Sequence, residues 1–287
     1  TDGWITSLQA PGRLASRAAE RTIDATQLVV APGFIDLLGQ SEYAVLVDPR
    51  AASKITQGIT TEITGEGQSI APADERQIAE GDDIWKRYGV RPDWTDLEGY
   101  FRALQRARPA INLGTMVGAG GIRDLVVGKE NRPATAAELA QMETLVDTAM
   151  RQGALGLSTS LQYVPGRYAS TAEIVALAKV AAKHGGVYFT HQRSEQREID
   201  ASMDEVMTIA REAGIPTNIW HLKTACRENW GRMPEMLQRI AAARAAGLDV
   251  AANQYPWSAA ANSLVANLPP WAQEGGTEPT LARLRDP

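Results

Sequence analysis

Cysteine and histidine are scarce in this chain of 287 residues, which holds one of the first and three of the second. A lone Cys226 excludes a disulfide framework within the chain, and there is no Cys-x-x-Cys pair to build a thiolate zinc site. Zinc or a similar ion would have to be held by imidazole and carboxylate. No apolar run approaches the ~18 residues that cross a bilayer, so a membrane partner is not expected. The first residues, TDGWITSLQ, lack the charged start and apolar core of a secretion signal. A cytoplasmic location is therefore the expectation, with a targeting segment upstream left open, because the chain has no initiator Met and stops at LRDP and so reads as cut at both ends. Net charge is -5 and no Lys/Arg cluster stands out, which makes nucleic acid a poor partner. Nothing in the sequence speaks to the oligomeric state.

What the chain has is enough apolar content, 44%, to bury one large α/β core. Seven short, mostly apolar runs read as strands: GFIDL (33 to 37), TTEIT (60 to 64), NLGTMV (112 to 117), LGLSTS (155 to 160), VYFTH (187 to 191), TNIWH (217 to 221) and DVAANQY (249 to 255). Helical patterns lie between them, with apolar positions at i, i+3, i+4 and i+7 such as Met142, Leu145, Val146 and Ala149. Thr135, Thr171 and Ser202 are candidate N-caps, and Gly153, Gly185, Gly214 and Gly247 close the helices. Alternating strands and helices imply a parallel sheet. Seven units, with the chain stopping as an eighth would begin, favour an incomplete (β/α)8 TIM-like barrel over residues 33–287. Residues 1–32, with WITSL and QLVV among Pro and Gly, read as the end of a small β-module. Ala71 to Arg91 and WAQEGG (271 to 276) read as long loops that either cover a site or carry nothing.

The chemistry converges on His191 and His221, each closing a strand in consecutive βα units, at the strand ends where parallel sheets bind ligands. A zinc site of this kind takes two or three imidazoles and a carboxylate and keeps a position open for water. Glu66, between Gly65 and Gly67 just past the second strand, is the candidate third ligand, although a Glu flanked by glycines is equally a solvated turn. Glu62 would point sideways within its strand. His184 in a last helical turn is read as structural, and Cys226 as a small buried or half-buried thiol. Strand alternation turns Trp220 away from the centre if His221 faces it.

The series APGFID, DPRAASKITQGITT, GALGLSTSLQYVPG, YASTAEIVALAKVAA, the TH pair at 190 to 191, HLK, NWG and NQYPW resembles the N-acyl-D-amino-acid deacylase (D-aminoacylase) branch of the amidohydrolase superfamily. The resemblance covers nearly the whole chain. It implies a metal-dependent hydrolase barrel that cleaves the amide of small N-acyl-D-amino acids, with His191 and His221 as the two imidazole ligands. It further implies Tyr163 and Tyr255 as substrate-carboxylate contacts, though a buried Tyr is equally a core residue. Three departures matter. Leu38 and Gln40 stand where the family has His-x-His, which leaves Gln40 as a substrate contact and removes a second metal. Glu66 stands in the segment of the family's cysteine ligand. The family's catalytic Asp, the general base, belongs to a strand beyond Pro287. No Lys follows the fourth strand, GLSTS, to bridge two metals. The expectation is one Zn2+ per chain on Glu66, His191 and His221. Competing readings are a related amidohydrolase acting on a dipeptide or cyclic amide, and a non-catalytic homologue that binds small ligands.

Overall fold

The computed structural model describes residues 4–5, 7–10 and 21–286. The chain divides into two compact units, Thr1–Pro32 and Gly33–Pro287. The described residues of the first unit contain no strand. QLVV is coil there, with Val29 and Val30 almost fully exposed. β-branched residues favour extended backbone, but a strand also needs a neighbour for its amides, and none lies beside QLVV among the described residues. Thr6, within the WITSL run, falls outside the described residues.

The second unit is built on parallel strands laid down in chain order. β1 (Phe34–Asp36), β2 (Ile59–Thr64) and β3 (Asn112–Thr115) form one sheet; β4 (Val117–Gly118), β5 (Gly156–Ser160), β6 (Val187–His191), β7 (Thr217–Ile219) and β8 (Val250–Ala252) form the other. Every pairing is parallel. The described residues thus form two parallel sheets rather than a closed barrel. The single NLGTMV strand read from the sequence is interrupted at Met116, whose amide still reaches the Thr64 carbonyl at 2.9 Å. The cause is a neighbouring loop. Gly65 (φ +93°) and Gly67 (φ +66°) press so closely that a Cβ on Gly65 would lie 2.6 Å from the Met116 carbonyl, and one on Gly118 would lie 2.6 Å from the Gly67 backbone.

The helices are α1 (Ala44–Val47), α2 (Ala52–Ile55), α3 (Glu75–Glu80), α4 (Asp82–Tyr88), α5 (Leu97–Ala107), α6 (Ala119–Val126), α7 (Ala136–Arg151), α8 (Thr171–Lys183), α9 (Ile199–Ala213), α10 (Met233–Ala245) and α11 (Thr277–Arg285). Leu157 of β5 and Tyr188 of β6 pack with Met142, Val146, Ile174 and Leu177 of α7 and α8 in one core cluster; Ile219 and Val250 pack with α9 and α10 in another. The outward positions of the strands therefore feed the core, and the alternate positions are left to line the inside.

Several local expectations are revised. Thr135 caps α7 with Glu138 in a reciprocal box, but Ser170, not Thr171, caps α8. Ser202 is buried inside α9, where its hydroxyl accepts from the Ser194 amide. A helix that starts three residues earlier has simply absorbed it. Ala71–Arg91 is no plain loop: Asp74 and Gln77 form a capping box that nucleates α3. WAQEGG begins in a short 3-10 turn, Pro270–Gln273, tied down by the Tyr168 hydroxyl donating to the Pro270 carbonyl at 2.6 Å. No helix among the described residues is long and apolar enough to cross a membrane.

Candidate metal centre

Three residues from three elements meet at the carboxyl end of the strands. His191 is the last residue of β6. His221 stands two residues past β7, and Glu66 two residues past β2. The Glu66 loop is seated on β5, where the Ser158 hydroxyl accepts from the Gly67 amide at 3.1 Å and donates to the Gly65 carbonyl. A side chain on Gly67 would collide with Ser160. These contacts aim the carboxylate inward, so the solvated-turn alternative does not hold. Glu62 is buried within β2, where it accepts from the Ser41 amide and faces Lys54.

His221 reaches the site by breaking the alternation of its strand. Trp220 is fully buried, meets Phe189 edge to face, and donates Nε1–H to the Leu37 carbonyl at 2.9 Å. The register places Trp220 beside His191, on the inner row, contrary to the expectation that it faces away. Its neighbour would then point outward, but His221 adopts φ +40°, rare for a side-chain-bearing residue. That turn brings the imidazole in. Asn253 secures it by accepting from the His221 amide at 2.6 Å.

Glu66 Oε1 lies 2.9 Å from His191 Nδ1 and 3.4 Å from His221 Nε2, and the two rings stand edge to face with centroids 4.5 Å apart. One donor atom from each residue lies within 4.8 Å of the others, the one such His/Cys/Asp/Glu group among the described residues. Tetrahedral zinc with bonds of about 2.0 to 2.1 Å spaces its ligand atoms roughly 3.3 Å apart. Two imidazoles and a carboxylate at these separations fit a divalent ion. Burial alone would raise the Glu66 carboxyl, but the two imidazoles beside it outweigh that and hold the group far below the usual range. His221 is raised: burial works against its charged form, and the carboxylates of Glu195 and Glu66 overcome it.

A cavity of about 630 Å³ opens over the three residues, lined among others by Leu38, Gln40, Tyr163, Lys223 and Tyr255. Gln40 donates to Glu66 Oε2 at 3.0 Å. Tyr163 stands edge-on to His191, with centroids 5.0 Å apart, and Tyr255 lies 6.2 Å from His221. Residue-type reasoning missed Gln162, whose Oε1 is 3.1 Å from His191 Nε2, and the buried Glu195 with the half-buried Lys223 beside His221. The available signal was their spacing, four residues after one His and two after the other. Cys226 is exposed rather than buried, because its loop turns it outward at φ +69°. His184 is structural as expected, capping α8 and pairing with Asp147 at 2.7 Å.

No family model matches the chain. Over 259 residues it is 36% identical to the N-acyl-D-glutamate deacylase of Alcaligenes xylosoxydans xylosoxydans, covering 90% of this chain and 53% of that protein. Two solved structures, each with a TM-score of 0.72 and 36% identity over 79% of this chain and 48% of theirs, are similar to it. One is a D-aminoacylase with a binuclear metal centre, characterised by one-metal activation and second-metal attenuation. The other is the N-acyl-D-glutamate deacylase of Bordetella bronchiseptica, complexed with zinc and a phosphonate inhibitor that mimics the tetrahedral intermediate. Fold and site together define an α/β protein of the amidohydrolase class. Within that class the chain is similar to D-aminoacylase and N-acyl-D-glutamate deacylase. It spans about half the length of the relatives it matches.

Proposed function

We propose that the protein hydrolyses the amide bond of N-acyl-D-amino acids, with one divalent ion, zinc, held by Glu66, His191 and His221. The observation that carries this is the convergence of one carboxylate and two imidazoles beneath an open cavity in a chain related to zinc-binding deacylases. When bound, such an ion supplies a Lewis acid for the acyl carbonyl and lowers the pKa of water.

The chain's own residues hold and orient. Gln40 fixes one oxygen of Glu66, leaving the other to the imidazoles. Lys223 Nζ lies 5.5 Å from the Tyr255 ring centroid on the cavity wall, so an ammonium and the hydroxyls of Tyr163 and Tyr255 offer donors to a substrate carboxylate. Leu38 supplies an apolar wall in place of a second ligand. The base that accepts the proton of the attacking water is not assigned to any residue of the chain. A single ion is consistent with the related D-aminoacylase, in which one metal activates and a second attenuates.

The deciding assay compares hydrolysis of D and L enantiomers of several N-acetyl amino acids, with and without chelator. Carboxylate release restricted to the D series and abolished by chelation is expected. Turnover indifferent to chelator, or confined to L substrates, would refute the reading.

A further inference from the structure

His221 Nδ1, on the side of the ring away from Glu66, is approached by two groups at once. Glu195 Oε1 is 3.0 Å away and Lys223 Nζ 2.9 Å, while Glu195 and Lys223 are 2.5 Å from each other. One ring nitrogen cannot serve both. It has a single in-plane position that holds either a proton to donate or a lone pair to accept, and an ammonium can only donate. If Lys223 takes Nδ1, the ring proton sits on Nε2 and points at Glu66. If Glu195 takes Nδ1–H, the Nε2 lone pair faces Glu66 and is free to bind a cation.

The other imidazole shows the same construction with a neutral partner. Gln162 Oε1 stands 3.1 Å from His191 Nε2, again the nitrogen away from the nearest Glu66 oxygen, while His191 Nδ1 lies 2.9 Å from that oxygen. Each ring thus has a side-chain acceptor on its far nitrogen. Such acceptors fix the tautomer of a ligating His and raise its basicity.

We propose that Glu195 is a positioning residue of the metal centre: its carboxylate keeps the His221 proton on Nδ1 and so presents the Nε2 lone pair to the site, while Lys223 binds the carboxylate rather than the ring. This rests on the metal-centre reading above. Glu195 is buried with Lys223 as its counter-charge, and one oxygen accepts from both the ammonium and the imidazole without leaving either donor unpaired. Replacing Glu195 removes the competitor of Lys223, which then takes Nδ1 and pushes the ring proton to Nε2.

The test combines imidazole 15N NMR of the metal-free protein with zinc competition titration against a chromophoric chelator, for the parent, Glu195→Gln and Glu195→Leu. The parent, at a pH where the ring is neutral, should show His221 protonated at Nδ1 and not at Nε2. Glu195→Gln, which keeps an acceptor, should preserve that state. Glu195→Leu should move the proton to Nε2 and weaken zinc binding roughly 10- to 100-fold. An Nδ1 without a proton in the parent, or unchanged zinc affinity in Glu195→Leu, overturns the proposal. Should Glu195→Leu not fold, the parent and Glu195→Gln spectra decide on their own. Failure of the underlying metal reading has a separate signature: parent zinc binding that survives a His191→Ala/His221→Ala double variant.

Discussion

Gln40 donates to Glu66 Oε2 at 3.0 Å, so the residue that the resemblance sets in place of a metal-binding His is hydrogen-bonded to the carboxylate of the proposed ligand set. A neutral amide there orients Glu66 without adding a donor for a second ion.

From this follows the expected behaviour of Leu38→His/Gln40→His. Restoring both imidazoles should give no increase in turnover, because one Lewis acid and one base suffice for the hydrolytic water, and because Glu66 loses its amide partner. Zinc content and turnover of the variant beside the parent check this. A second bound metal with a large rate increase would mean that the site is a damaged two-metal centre.

Glu66 is an anionic donor in the segment where the resemblance sets a cysteine ligand, and either group ligates zinc. Glu66→Cys should retain about one zinc per chain, whereas Glu66→Ala should lose it. Elemental analysis after dialysis distinguishes the outcomes. Full zinc occupancy in Glu66→Ala would show that the ion sits elsewhere.

Trp220→Phe keeps a buried aromatic ring but removes the Nε1–H bond to the Leu37 carbonyl, which joins the ends of β7 and β1, and leaves a gap where the rest of the indole packed, so the hydrogen-bond cost alone is a lower bound. The expected cost is about 1 to 2 kcal/mol of unfolding free energy, the range for a buried acceptor left without its donor. Urea denaturation reads it directly, and an unchanged midpoint would remove the indole from the list of fold-closing contacts.

Glu42 predicts a pH dependence of stability. Its Oε2 is buried without a partner, and burial, aided by the nearby charges of Glu62 and Glu66, pushes the carboxyl from 4.5 up to about 7. The folded chain therefore keeps a proton that the unfolded chain has already lost between those two values. Stability contributed by the neutral group is complete below about pH 4.5 and is lost as pH rises through about 7. Glu42→Gln should be insensitive to this window and more stable than the parent above it, by up to about 3 kcal/mol. Melting curves of both proteins from pH 5 to 8 make the comparison; parallel curves would contradict it.

The strand order, the helices and the three proposed ligands were legible because each rests on a local regularity. His191 and His221 close β-branched runs, and Glu66 sits in a Gly-Glu-Gly turn whose glycines allow the tight backbone that can aim a side chain inward. What escaped depends on contacts distant in sequence. The break at Met116 comes from a loop some fifty residues earlier pressing on the strand. Trp220 lies on the side opposite to the one strict alternation from His221 gives, because the backbone abandons alternation at His221. Glu195 and Lys223 lie in loops with no periodicity to mark them. The α3 start is a different case, since the Asp74 and Gln77 spacing of its capping box is a local signal within a charged segment.

The seam at Met116 has one more consequence. Glu66 follows β2, in the three-stranded sheet, whereas His191 and His221 follow β6 and β7, in the five-stranded one. An ion held by all three would rivet the two sheets across the line where their backbone pairing is interrupted. Loading the site would then stiffen the architecture as well as arm it. Amide exchange along β3 and β4 should slow on zinc addition, by the linkage that stabilises any state a ligand prefers.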